Sequence, residues 1–245
     1  MKQEKAGLGE QALNKIAEIA LTSQLEEVER LEVQIKTDLS KLAHGEVDSI
    51  AININGLLMQ HDLVVEELQL QINRVVVKPR SAIFGKIKLT QPSTGTVRIA
   101  INEDNLTRAF NTEYFHKHLH QIQTGVEDKP VIRIKPVKCS LLADGSIAFS
   151  SEQILGKIGE AQPFAFTGTP RIGTDGKEIV LQNGHYEGKE LPPELTAALV
   201  AQLSKVLSVR NFEQKGMSLQ IQQINVVAGR LALQAAAYIE QFPSS

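Results

Sequence analysis

Residues 50–73, IAININGLLMQHDLVVEELQLQIN, alternate between apolar and polar side chains at both ends of the segment. The apolar positions of the two alternating runs are Ile50, Ile52, Ile54, Leu68, Leu70 and Ile72. A period of two is typical of a β-strand that turns one face to a core and the other to water. The segment therefore predicts two strands, each with one apolar face.

The same alternation recurs on both sides of this segment. Further alternating runs lie at residues 31–36, 86–89, 97–101, 132–134, 147–149, 164–167, 217–221 and 231–233. Strands of parallel sheets, which are covered on both faces, appear instead as continuous apolar runs. We therefore predict an antiparallel sheet with one solvated face.

Three segments have apolar residues at helical spacing. The first covers residues 8–24, and its apolar stripe is wider than that of an ordinary surface helix. The second begins near Asn102, a good helix cap, and further helical turns follow at residues 114–122. The third covers residues 193–209. A helix as apolar as the first is expected to be covered on more than one side.

These elements predict an α+β fold with a long, highly curved antiparallel sheet. A one-faced sheet must hide its apolar side, and curling around the apolar N-terminal helix achieves this, with two further helices completing the core. An incompletely filled trough inside the curl would be an aliphatic groove. Since no Gly/Ser linker or low-complexity tract interrupts the chain, residues 1–245 are predicted to form one domain.

Composition narrows the class of protein. The chain of 245 residues has a net charge of −2, one cysteine and only 4% aromatic residues. These values argue against a disulfide scaffold and against a general nucleic-acid binder. The N-terminal sequence MKQEKAGLGEQ has no apolar signal region, and no run approaches the ~18 apolar residues of a membrane span. We expect a cytoplasmic or peripheral membrane location.

Motifs for catalysis are missing from the sequence. It contains no G-x-S-x-G elbow, Walker loop, dinucleotide fingerprint or H-E-x-x-H. His116, His118 and His120 are weighed as a metal site, but a solvated helix face is favoured. Cys139 follows a strand-like pattern without a recognisable base and is interpreted as a structural thiol. We predict no enzyme activity, no metal and no cofactor.

Positive charge is concentrated in one acid-free segment, residues 68–102. Its basic residues are Arg74, Lys78, Arg80, Lys86, Lys88 and Arg98. Each cation near an anionic bilayer contributes about 1 kcal/mol of attraction. Two interpretations stay open: the six converge on a headgroup or membrane surface, or they form a solvated sheet face with counter-charges on neighbouring strands.

The N-terminal half has a distinctive order of elements. An amphipathic helix precedes LEVQIKTDLSKLAHGEVDSIAININGLLMQHDLVVEELQLQINRV (31–75) and VVVKPRSAIFGKIKLTQPSTGTVRIAINEDNLTRAFN (75–111), which ends in a helix at Asp104-Asn105-Leu106. Residues 7–112 thereby resemble the LmeA family of phospholipid-binding proteins, common in actinobacteria and cyanobacteria. The resemblance implies a bacterial or cyanobacterial protein with a tubular lipid-binding-like fold and a phospholipid ligand. Residues 113–245 are expected to continue the same sheet and helices.

We expect non-catalytic binding or transfer of phospholipid-like amphiphiles, with peripheral contact to an anionic membrane and no nucleic acid. Acyl chains are predicted to contact Leu13, Ile16, Ala20, Leu31, Val33, Ile52, Ile54, Leu70, Ile87 and Leu89. The six basic residues of the acid-free segment are the candidates for the headgroup or membrane surface.

Two other function classes stay open. The first is a structural or protein-interaction module whose core is filled by its own side chains. The second, a hydrolase of lipid or glycan, ranks last because the sequence offers no nucleophile with a base and an acid. The sequence leaves the oligomeric state open.

Overall fold

The predicted α+β class is confirmed. A computed structural model describes residues 8–23, 25–59, 62–78, 89–113, 132–155, 161–188, 193–213 and 216–241. Within these ranges the chain forms four α-helices and two sheets, and the strands pair antiparallel. The alternation of apolar and polar residues along the strands explains this class, because each sheet has one buried and one solvated face.

The first sheet has six strands. They are β1 (Arg30–Lys36), β2 (Glu46–Leu58), β3 (Val64–Val76), β4 (Ser93–Asn102), β10 (Met217–Val227) and β11 (Arg230–Ile239). Their order is β1-β2-β3-β4-β11-β10, so the last hairpin of the chain completes the sheet that the first four strands begin. The edge strands β1 and β10 are not paired with each other, and this sheet is therefore open.

The second sheet is built by the middle of the chain. Its strands are β5 (Ile132–Ile134), β6 (Lys138–Leu141), β7 (Ile147–Leu155), β8 (Ala161–Ile172) and β9 (Ile179–Gly188). The order is β5-β7-β8-β9, with β6 pairing β7 beyond the end of β5. Gly145 joins β6 to β7 with a φ of 89°, a conformation that suits glycine.

The helices are short and separated along the chain. They are α1 (Leu8–Thr22), α2 (Leu39–Ala43), α3 (Glu103–Ala109) and α4 (Pro193–Val206), and a 3-10 turn follows at Val209–Phe212. As predicted, Asn102 caps the second helical segment: its side-chain oxygen accepts a hydrogen bond from the Asn105 N–H at 2.8 Å. The helical turns predicted at 114–122 lie outside the described residues.

Helix α1 covers the free edge of β1. Three polar side chains of α1, spaced four residues apart, accept hydrogen bonds through their oxygens. The donors are backbone N–H groups of every second residue along β1 and just past its end. From N–H to oxygen, the pairs are Val33 to Glu18 at 3.2 Å, Ile35 to Asn14 at 2.8 Å and Thr37 to Glu10 at 3.4 Å. Four helical residues rise about 6 Å and two strand residues about 6.7 Å, so the spacings match.

Helix α3 covers the free edge of β6 in the same way. The pairs, again from N–H to oxygen, are Leu141 to Glu103 at 3.2 Å, Cys139 to Thr107 at 3.0 Å and Val137 to Asn111 at 2.8 Å. Both helices run antiparallel to their strands with identical spacing. The structure therefore contains a repeated helix-on-edge arrangement, one copy for each sheet.

One continuous apolar core joins the two sheets. Ile99 and Leu231 of the first sheet belong to the same buried cluster as Phe149 of the second and Leu203 of α4. The Phe110 and Phe149 rings lie 4.9 Å apart between their centroids. Helix α4 packs against β9 of the second sheet.

The structure departs from the predicted architecture in the number of sheets and in the position of α1. The prediction of one long sheet is wrong, because the middle strands form a sheet of their own with a separate order. The prediction that the sheet wraps around α1 is not confirmed: the helix uses its polar stripe to bind the edge of β1 and leaves Ile16 65% exposed and Ile19 62% exposed. Besides the two further helices that were expected, the described chain contains the five-residue α2.

Candidate functional site

An apolar cavity with a volume of about 220 Å³ lies against the inner face of the first sheet. All six strands of that sheet contribute to its wall. One residue from each strand, in spatial order, gives Leu31, Ile52, Leu70, Val97, Ile239 and Met217. The end of α1 and the 3-10 turn supply further parts of the wall through Leu21 and Phe212.

The position of this cavity shows that the first sheet is strongly curled. Six strands at a spacing of about 4.8 Å would place the edge strands roughly 24 Å apart in a flat sheet. Leu31 of β1 and Met217 of β10 nevertheless line one cavity. The two edges are therefore brought towards each other, and the cavity occupies the inside of the curl.

The wall of the cavity is aliphatic. Gln241 is the one polar residue in the lining, and the other lining side chains are leucine, isoleucine, valine, methionine and phenylalanine. Such a wall favours hydrocarbon by about 0.8 kcal/mol per buried methylene. It penalises a polar group, which would lose its hydrogen bonds to water without replacement. Met59 and Met217 add flexible side chains that adapt to irregular shapes.

A family model for LmeA-like phospholipid-binding proteins matches residues 5–236 of this chain. The chain belongs to the LmeA-like phospholipid-binding family. The resemblance predicted from residues 7–112 is thus confirmed, and the match continues through the second sheet and most of the last hairpin. No curated protein and no solved structure matches the sequence. None of the helices in the described part of this LmeA-like chain has the length and apolar composition required to cross a membrane.

Four of the predicted acyl-chain residues meet at the cavity. Leu31, Ile52, Ile54 and Leu70 all lie in its wall. The register explains their convergence, because Ile52 pairs with Leu70 across β2 and β3 and the others lie on the same face. Apolar alternation was a sufficient signal for these positions.

The other predicted acyl-chain residues lie elsewhere. Val33 is buried in β1 without lining the cavity, and Leu89 packs against a smaller apolar cluster around Ile72. On α1, Leu13 is half-buried while Ile16 and Ala20 are exposed. Ile87 falls outside the described residues.

Several lining residues were absent from the predicted set. The residues that the strand pattern alone would add are Leu68, Ile72 and Val97, which share a face with predicted positions. The place of Met217, Leu219 and Ile239 in the wall carried no local signal, although residues 217–221 alternate as a strand, because it depends on the pairing of β11 with β4 across more than half the chain.

The predicted basic residues do not gather at this cavity. Arg98 is exposed on the outer face of β4, opposite its neighbour Val97 in the cavity wall. It lies in a polar concavity of about 280 Å³ with Gln69 and Gln234, its register partners on β3 and β11. Any headgroup contact of Arg98 would therefore involve the opposite side of the sheet.

Two further basic residues lie near one end of β3. Arg74 is exposed and stands 3.7 Å from the Glu46 carboxylate, while Lys78 is exposed just beyond the strand. Arg80, Lys86 and Lys88 fall outside the described residues. Arg74 thus has a counter-charge across the strand, as the solvated-face interpretation expects.

The remaining candidates from the sequence are the cysteine, considered as a nucleophile, and the three histidines, considered as metal ligands. Cys139 is fully buried, and burial raises the pKa of its thiol to about 12, with a contribution from the charge of Glu103. The thiol is therefore protonated near neutral pH and is a poor nucleophile. Within the described ranges, no three His, Cys, Asp or Glu side chains group as metal ligands. His116, His118 and His120 fall outside those ranges.

Proposed function

We propose that this LmeA-like chain binds phospholipid-like amphiphiles without chemical change and holds acyl-chain hydrocarbon in the cavity of the first sheet. One observation carries the proposal: six curled strands surround a cavity whose lining contains a single polar residue, Gln241. A pocket of this chemistry selects hydrocarbon by exclusion of polar groups. Membership of a phospholipid-binding family supports an acyl chain as that hydrocarbon.

The cavity volume limits which part of a lipid is held. A dry cavity of about 150 Å³ accepts benzene, and drug-sized ligands occupy roughly 300–1,000 Å³. At about 220 Å³, the cavity accommodates a segment of one acyl chain. The remainder of a two-chain lipid stays outside unless the wall moves. Since the lining offers almost no hydrogen-bond partner, the headgroup would be recognised outside the cavity.

A role without catalysis is the simplest one for this arrangement. The family is named for binding, and the deeply buried Cys139 thiol is protonated at neutral pH. An amphiphile held through one chain can also be released, which would allow transfer between membrane surfaces.

The cavity volume also favours a second candidate. A space below the size of most ligand pockets is what a module with a self-filled core would contain. Such a module would act through its surface on a protein partner. It predicts that no lipid binds and that a larger residue in the cavity raises stability without any loss of function.

Native mass spectrometry of the protein purified from a lipid-containing host distinguishes these candidates. The test variant is Ile52→Trp, which fills the cavity; the matched control is Ile50→Trp on the same face of β2, where Ile50 packs against another cluster. We expect lipid-bound masses for the wild type and the control, and about tenfold weaker binding of a fluorescent phospholipid by the test variant. A ligand-free wild type that takes up no lipid would favour the second candidate.

A further inference from the structure

Helices α1 and α3 are held by equivalent hydrogen bonds, so their residues can be compared position by position. Glu10 and Glu103 occupy the first binding position of each helix. Counting onward from them, Ala12 and Ile16 on α1 correspond to Asn105 and Ala109 on α3. These positions lie on the side of each helix that is turned away from its covered strand.

The corresponding positions have opposite environments. On α3, Ala109 is 0% exposed and Asn105 is 9% exposed, because the rest of the chain packs over them. On α1, Ile16 is 65% exposed and Ile19 is 62% exposed. Of two helices held in the same way, α3 is thus covered on this side and α1 is exposed.

In the described part of α1, from residue 10 onward, the side turned away from β1 carries no charged residue. It consists of Ala12, Ile16, Ile19 and Ala20, which we call the α1 outer face. These residues follow the i, i+4, i+7, i+8 spacing of one helical stripe. The carboxylates of Glu10 and Glu18 accept hydrogen bonds from the backbone of β1, and Lys15, beside the stripe, forms an ion pair with Glu18 at 3.2 Å. A bilayer surface that approaches the outer face therefore meets apolar groups rather than carboxylates.

A neighbouring concavity links the α1 outer face to the cavity wall. Leu21, in the last turn of α1, lines the cavity, and so does Leu31 of β1. Leu31 and Ile19 also line a neighbouring concavity of about 440 Å³ between the helix end and β1. Ile19 of the outer face and Leu31 of the cavity wall thus share this concavity, whose lining also includes the charged residues Lys15, Glu18, Glu29 and Arg30.

We propose that the α1 outer face inserts into the surface of a phospholipid bilayer and places the cavity rim where an acyl chain can enter. This inference rests on the proposed function. Interfacial helices bury an apolar face of this kind about 5–10 Å into the headgroup region. A second copy of the chain is a poorer occupant, because two isoleucines and two alanines fall far short of the roughly 800 Å² per partner of a stable dimer.

Flotation with vesicles of equimolar phosphatidylcholine and phosphatidylglycerol tests this proposal. The test variant carries Ile16→Gln and Ile19→Gln; glutamine favours helix at least as well as isoleucine, so α1 is expected to stay folded. The control carries Ile172→Gln and Val227→Gln, two exposed apolar residues outside α1. We expect the test variant to lose about tenfold in vesicle partitioning and the control to match the wild type.

Uptake of lysophosphatidylcholine monomers from solution separates docking from ligand binding. The α1 test variant should bind these monomers as the wild type does, because its substitutions lie outside the cavity. If the wild type floats with vesicles but takes up no lysophosphatidylcholine, the proposed function is contradicted and the docking of α1 remains supported. Equal flotation of test variant and wild type would overturn the docking, as would a wild-type dimer in sedimentation velocity that the test variant lacks.

Discussion

The side-chain oxygen of Asn14 accepts a hydrogen bond from the backbone N–H of Ile35 at 2.8 Å. That N–H lies on the free side of β1, at the edge of the first sheet. An unpaired edge donor is a template for pairing with another chain. Asn14, with Glu10 and Glu18, therefore makes α1 a cover for the edge and fixes which side of the helix faces outward.

Replacement of Asn14 should weaken this cover. We expect Asn14→Ala to lower the free energy of unfolding by about 1 kcal/mol, since one backbone donor loses its partner. Amide hydrogen exchange at Ile35 should accelerate. Asn14→Asp keeps an acceptor oxygen and should restore most of the loss. Unchanged exchange at Ile35 in the alanine variant would contradict the role assigned to this contact.

Asn111, in the turn that follows α3, should contribute more to stability than Asn14. Its side-chain amide donates to the Thr107 and Val137 carbonyl oxygens at 2.6 and 2.7 Å, and its oxygen accepts from the Val137 N–H at 2.8 Å. We expect Asn111→Ala to cost about 2–3 kcal/mol in chemical denaturation. Asn111→Asp should also destabilise, because it removes both donors. If the aspartate variant were as stable as the wild type, the two hydrogen bonds that the Asn111 amide donates would make no contribution to stability.

The close approach of β3 and β4 should depend on Gly95. A Cβ added there would lie 2.5 Å from the backbone oxygen of Gln71 on the neighbouring strand. We expect Gly95→Ala to lower the free energy of unfolding by about 1–3 kcal/mol, because β3 and β4 must move apart. Thr94→Ala, at the exposed neighbouring position, serves as the control. Equal denaturation midpoints for the two variants would show that this close approach is dispensable.

Stability should fall in alkaline solution because of Cys139. Burial raises the pKa of the thiol from 9.0 to about 12 in the folded chain. Between these values the unfolded state has lost the proton that the folded state keeps, so stability is full below about pH 9 and declines as pH rises towards about 12. The slope is at most about 1.4 kcal/mol per pH unit. Cys139→Ala should show a shallower decline in urea unfolding, and parallel declines would contradict the assignment.

Much of the fold follows from local patterns. The alternation around Ile52 and Leu70 predicts the strands, their pairing type and part of the cavity wall, and Asn102 marks the start of α3. The separation into two sheets could not be predicted, because it depends on β11 pairing with β4 rather than with a strand of the middle segment. Sequence patterns report the period of a strand and not its partner.

The side of α1 that faces outward could not be predicted from the sequence either. A polar stripe on an amphipathic helix is normally assigned to water and the apolar stripe to the core. Here Asn14 and its neighbours bind a strand edge, which turns Ile16 outward. This orientation follows from the positions of the free N–H groups of β1. Those positions depend on how β1 pairs with β2 in the folded chain.

The central claim is that an acyl chain occupies the cavity of the first sheet. Photo-crosslinking with a phosphatidylcholine that carries a diazirine near the end of one acyl chain, followed by peptide mapping, tests it most directly. We expect adducts on peptides that line the cavity, around Leu57, Met59 and Met217, and their loss in Ile52→Trp but not in Ile50→Trp. Adducts confined to the outer face around Arg98, or equal labelling of both variants, would contradict the claim.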